Sequence, residues 1–143
     1  MQLLIAGSTT KWTEVLEEKL RNYKYRDDVV LLKNAGTALT AKLVAACYAM
    51  VYPSAENIFP LAMLWALQSN KAIIASGTLI NRQISNAAEW VEPGQTAEGF
   101  AKAMMSLYKD EAQQLLLVQQ TKEAAVLFNR QIMLDTVWQC IEQ

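Results

Sequence analysis

Four short apolar runs recur along the chain, and they restrict its fold more than any other feature. Leu3-Leu4-Ile5-Ala6, Val29-Val30-Leu31-Leu32, Ala49-Met50-Val51-Tyr52 and Ala72-Ile73-Ile74-Ala75 contain no polar alternation. A strand with one wet face alternates apolar and polar residues, whereas an unbroken apolar strand is covered on both faces. Each run stops at turn formers: Gly7-Ser8-Thr9, Lys33-Asn34-Ala35-Gly36, Pro53-Ser54 and Ser76-Gly77-Thr78. Trp90-Val91-Glu92 is a weaker fifth strand, closed by Pro93-Gly94.

Helical spacing fills the intervals. Residues 11–23 place Trp12, Val15, Leu16 and Leu20 on one face. Thr37 or Thr40 can open a helix with Leu39, Leu43 and Ala46 on its apolar face. Residues 59–69 are nearly all apolar, which predicts a helix buried on most sides. Thr96 with Glu98-Gly99 opens a helix carrying Phe100, Met104 and Leu107. Asp110 caps a long last helix with Leu115, Leu116, Val118, Ala125, Phe128, Ile132 and Trp138, broken near Asn129. Strands alternating with helices predict an α/β fold, with helices on both faces of a mainly parallel sheet of about five strands.

The chain has 143 residues, with no repeat, linker or low-complexity stretch, so one domain spanning 1–143 is expected. Apolar residues make up 52% and charged residues 19%, which excludes a disordered chain. Lys plus Arg is 13 against 14 Asp plus Glu, too little positive charge to hold a phosphate polymer, so no nucleic-acid partner is expected. There is no histidine, which removes the commonest general acid–base near neutral pH and the commonest metal ligand. Cys47 and Cys140 lie far apart without metal or redox spacing and read as two small buried thiols. The apolar N-terminus lacks a basic segment and stops at Gly7, unlike a secretory leader. No apolar run approaches the ~20 residues of a membrane helix. A cytoplasmic protein is the expectation, with no metal and no cofactor.

Ligands of open α/β sheets bind beyond the carboxyl ends of the strands. The turn loops named above, with residues 53–59 and Glu92-Pro93-Gly94, are therefore the candidate segments. The loop after the third strand, Ser54-Ala55-Glu56-Asn57, leads straight into the apolar helix, whose free N–H groups could hold a phosphate. The other reading, favoured by spacing alone, is that Ser54, Glu56 or Asn57 caps that helix. Glu56, Glu89 and Glu92 could approach one another at strand ends, but no glycine-rich phosphate fingerprint is present. Trp65, in the middle of the apolar helix, reads as core.

Read together, YPSAENIFPLAMLWALQSNKAIIAS (residues 52–76), Leu3 to Gly7, Val29 to Leu32, WVEPG (90–94) and FAKAMMSLYK (100–109) resemble the C-terminal, nucleotide-sugar-binding domain of retaining GT-B glycosyltransferases of the family 4 type. The resemblance covers almost the whole chain. It implies a Rossmann-like three-layer αβα fold, half of a GT-B enzyme, and a nucleotide-diphosphate-sugar donor as partner. It places Lys33 and Asn34 on the loop bordering the base, and Ser54, Glu56, Asn57, Ile58, Phe59 and Trp65 around the donor.

The same comparison removes the catalytic groups. In an ungapped reading Asn57 and Trp65 stand where the family has its two motif glutamates, and Ile58-Phe59-Pro60 replaces Gly-Phe-Gly; a shift by one residue restores Glu56 as the first carboxylate, but needs a bulge in the loop and leaves no second. Asn70 replaces the usual glycine after the helix, a mild change because asparagine tolerates the left-handed conformation. The family's first strand with its basic loop, and its N-terminal acceptor domain, have no counterpart in the residues matched. No catalytic residue is assigned, and a domain inactive by itself is expected. Three outcomes are open for the sheet: direct pairing of its first and third strands, completion by a second copy as a homodimer, or a strand supplied by a separate polypeptide; a homodimer or the missing N-terminal half is the expected protein partner. The alternative function is a degenerate, split or engineered domain serving in self-assembly or interaction without binding a sugar nucleotide.

Overall fold

The computed structural model describes residues 2–54, 59–92 and 97–142. The described residues fall into two compact units, Met1–Lys42 and Leu43–Gln143.

The first unit holds β1 (Leu3–Gly7), α1 (Lys11–Arg21) and β2 (Val29–Lys33), followed by the start of α2 (Thr37–Ala46), within which the boundary falls. β1 and β2 pair in parallel from Leu3↔Val29 to Gly7↔Lys33. Thr10 caps α1 by accepting from the Trp12 N–H, and Thr13 reciprocates to the Thr10 backbone, so two orphan donors of the first turn are met. None of the described residues of this unit is buried; Ile5, Leu16, Leu20, Leu31 and Leu32 are half-buried.

The second unit contains β3 (Ala49–Tyr52), α3 (Leu61–Gln68), β4 (Ala72–Ser76), α4 (Leu79–Ile84), β5 (Glu89–Val91), α5 (Ala97–Lys109), α6 (Glu111–Ala125) and α7 (Arg130–Ile141). Its strands run β3-β4-β5, all parallel. Every residue of β4 is buried, as its unbroken apolar run requires. Ile73 and Ala75 join Met50 and the α3 residues Met63, Ala66 and Leu67 in one cluster. Ala72 and Ile74, on the alternate positions, join Val91, Ala103, Leu107 and Leu117 in another. The period-2 alternation of a strand thus divides one apolar segment between two helical layers. This is the α/β, Rossmann-like arrangement that the alternating pattern predicts.

Three local expectations hold. Asp110 Oδ1 accepts from the Gln113 N–H at 2.9 Å and caps α6. Helix α6 ends in a 3-10 turn, Val126–Phe128, and Asn129 caps α7 by accepting from the Gln131 N–H at 2.8 Å. Asn70 has φ 53° after α3, and the Lys71 N–H closes the end on the Ala66 carbonyl at 2.9 Å.

The structure also departs from the sequence reading. Among the described residues the five strands hydrogen-bond as a parallel pair in the first unit and a parallel trio in the second. Helix α3 begins at Leu61, two residues later than expected, because Pro60 takes the N-cap position and its fixed φ suits the start of a helix. Helix α4 has no counterpart in the pattern reading. Neither thiol is fully buried as expected: Cys140 is exposed on α7 and Cys47 is half-buried.

Candidate functional site

The carboxyl edge of the β3-β4-β5 sheet is where a ligand of this architecture would sit. Three chain segments meet there. β3 exits through Tyr52, Pro53 and Ser54. β4 exits through Ser76, Gly77 and Thr78. β5 exits at Glu92.

Asn81, on α4, is fully buried beneath the first two exits. Its Nδ2 donates to the Ser76 carbonyl at 2.9 Å and, more weakly, to the Ser54 carbonyl at 3.4 Å. Thr78 caps α4, its hydroxyl accepting from the Asn81 N–H at 3.2 Å. Arg82 spans the second and third exits. Its Nη2 pairs with the Glu92 carboxylate, its Nε donates to the Gly77 carbonyl at 3.3 Å, and the guanidinium lies 4.9 Å from the centre of the Trp90 ring. A Cβ on Gly77 would stand 2.8 Å from Arg82 Nη2 and 3.3 Å from Glu92 Oε2, so glycine is what admits the ion pair here.

The candidate residues are distributed as follows. Ser54 is half-buried just past β3, and the residue at the N-cap position of α3 is Pro60. Glu56, Asn57 and Ile58 lie outside the described residues. Phe59 is exposed, and its carbonyl accepts from the Leu61 N–H at 2.9 Å; the Pro60 carbonyl accepts from the Met63 N–H at 2.9 Å. Two of the three leading N–H groups of α3 are thereby occupied, which reduces what that helix start can offer an anion. Trp65 is half-buried against the Met63–Leu67–Ile73 cluster, so it is a packing residue.

Lys33 and Asn34 belong to the first unit. Lys33 Nζ lies 2.7 Å from Glu17 Oε1. Asn34 has φ 54° and clamps the loop after β1: its Oδ1 accepts from the Thr9 N–H at 2.9 Å and its Nδ2 donates to the Thr9 hydroxyl at 2.8 Å. A pocket of about 170 Å³ lies in this unit between α1 and the β1–β2 pair, lined by Ile5, Leu16, Leu31 and Trp12 with Ser8 and Lys33 among its polar residues.

The carboxylates Glu89 and Glu92 do not converge. Glu89 opens β5 and accepts from Gln113 Nε2 at 3.0 Å, while Glu92 follows its other end and holds Arg82. Burial pushes the Cys47 thiol up, partly opposed by Lys71, so it is not a primed nucleophile. Among the described residues no group of three metal-ligating side chains gathers, and no helix is long and apolar enough to cross a membrane. Sequence reasoning missed Asn81 and Arg82. Their signal was positional: they follow the turn Ser76-Gly77-Thr78, one helical turn past a strand end.

A sequence profile of a family described as "Glycosyl transferases group 1" matches residues 1–110. Among solved structures, the fold is similar to that of WaaG, a glycosyltransferase involved in lipopolysaccharide biosynthesis, with a TM-score of 0.67 and 14% identity. The match covers 87% of this chain and 33% of the WaaG chain, so this chain spans about a third of that protein's length. No curated protein matches the sequence.

Proposed function

This chain belongs to the glycosyl transferases group 1 family, and on that premise we propose that it carries the donor-binding half of such an enzyme. The ligand class is a nucleoside diphosphate-sugar. The loop from Ser54 through Glu56, Asn57, Ile58 and Phe59 would face the diphosphate at the carboxyl edge of β3. Binding is weak, and the chain by itself does not transfer sugar.

One observation carries the reading. The Tyr52-Pro53-Ser54 segment ends β3 at the carboxyl edge of an all-parallel trio, one loop ahead of the buried helix α3. That is the position at which this architecture takes its ligands. Weakness follows from chemistry. Pro60 has no N–H, the Leu61 and Met63 N–H groups already have carbonyl partners, and Trp65 packs in the core where the family resemblance places a carboxylate. Lack of transfer follows from the absence of any histidine and of convergent carboxylates among the described residues. Lys33 and Asn34, each bonded within its own unit, shape the loop after β2.

Titration calorimetry of the full chain with UDP-, GDP- and ADP-sugars tests this. Millimolar to high-micromolar binding of one of them is expected. No heat with any of the three at millimolar concentration would defeat donor binding, and sugar transfer by the isolated chain would defeat the second half of the proposal. A reading as an assembly module rests on one observation, the exposed Ile132, Leu134, Val137, Trp138 and Ile141 of α7. Light scattering over a concentration series separates the two: a stable monomer that binds nucleotide excludes it.

A further inference from the structure

We infer that Asn81 is a positioning residue: it fixes how the chain leaves β3 into the loop assigned above to the donor. The inference rests on that assignment for its consequence, and on the local bonding for its geometry.

The β3–β4 ladder has its last pair at Tyr52↔Ala75. Pro53 then has no N–H to extend it. Ser54 and Ser76 lie beyond the end of that ladder, and the side-chain amide of Asn81 touches both carbonyls. Carbonyl oxygens only accept, so the amide nitrogen must be the atom that faces them, which settles the orientation of the side chain. The amide itself is anchored, since Asn81 is fully buried and its backbone N–H is held by the Thr78 hydroxyl. One side chain thus links the two strand exits just past the last paired residues.

Its other atom strengthens the case. Asn81 Oδ1 is buried and accepts from no described residue. An orphaned buried acceptor lowers stability, and a leucine, which has the same branched heavy-atom skeleton and no polar atom, would avoid that loss. Packing alone does not account for an asparagine here, whereas the two donor contacts do.

The test uses the full chain, Asn81→Leu, which keeps the branched skeleton but is larger, and Asn81→Ser, which is smaller and keeps a donor in case the leucine variant overpacks and does not fold. Two quantities are read: the dissociation constant for whichever of UDP, GDP or ADP the wild type binds, and amide exchange in the peptide spanning residues 52–60. For Asn81→Leu we expect about tenfold weaker binding, the scale of one buried hydrogen bond. Exchange across 52–60 should quicken while the peptides of β4 and α5 stay as in the wild type. A merely structural role would alter all three regions together. Unchanged binding and unchanged 52–60 exchange overturn the inference, and so does uniform quickening. If no nucleotide binds the wild type, the donor assignment fails, and the exchange arm alone decides whether Asn81 sets the β3 exit.

Discussion

Trp65 and Gly77 show how a single residue can read as functional or structural until its neighbours are known. Trp65 occupies a position where the family resemblance places a glutamate, yet its indole packs against the buried Met63, Leu67 and Ile73 cluster. Restoring the carboxylate therefore removes packing and brings a charge to the edge of the core. Trp65→Glu is expected to lose about 3 kcal/mol or more of stability, by the scale of aromatic truncations and of poorly solvated charges. It should gain no nucleotide affinity; a thermal melt and a titration check both halves. Gly77 works the other way. Its missing Cβ leaves room for the Arg82–Glu92 pair. Gly77→Ala should displace the Arg82 guanidinium, which is flexible and partly exposed, so the loss stays near ~1 kcal/mol. In the Arg82→Ala background the same change should be close to neutral. A double-mutant cycle by denaturant unfolding reads the difference, and equal losses in both backgrounds would show that the guanidinium is not what the Cβ meets.

At the scale of elements, legibility followed the length and regularity of the signal. β3 was readable to the residue because four apolar positions end on a proline. The break at Asn129 was readable because asparagine is a poor interior residue and a good cap. Helix α4 was not, since Leu79–Ile84 spans under two turns and shows no apolar period to detect. The start of α3 was set by Pro60, a backbone effect that hydropathy does not register. The candidate site was legible only as a set of loops. The apolar helix that follows singled out the loop after β3, and family resemblance supplied the donor, whereas Asn81's role depends on two carbonyls that only the folded chain brings together. Asn129 supplies the prediction at this scale. Its side chain accepts from the Gln131 N–H and opens α7 directly after the 3-10 turn. Asn129→Ala should weaken α7 by about 1 kcal/mol. Amide exchange would quicken in peptides from 130 to 141 and not in α5; protection unchanged in α7 would mean that packing, not the cap, sets its start.

At the scale of the whole molecule, the two units are unequally stabilised from within. The second owns a strand buried at every position and fully enclosed Met63, Leu67, Ile73 and Leu107. In the first, none of the described residues is buried, and Leu3, Leu4 and Val30 remain exposed on its two strands. A two-stranded sheet is marginal in water because it has few cross-strand neighbours and little apolar area to withdraw. The capping box of α1 and the Asn34–Thr9 clamp add local order to this unit but no core. Opening of β1 and β2 should therefore require less free energy than opening of β4, and native-state exchange should reveal it. Protection factors in residues 3–7 and 29–33 are expected to fall at least about tenfold below those in 72–76 under native conditions. Adding low denaturant should not close that gap until global unfolding begins. Equal protection in both units would mean that β1 and β2 draw on stabilisation from outside their own residues.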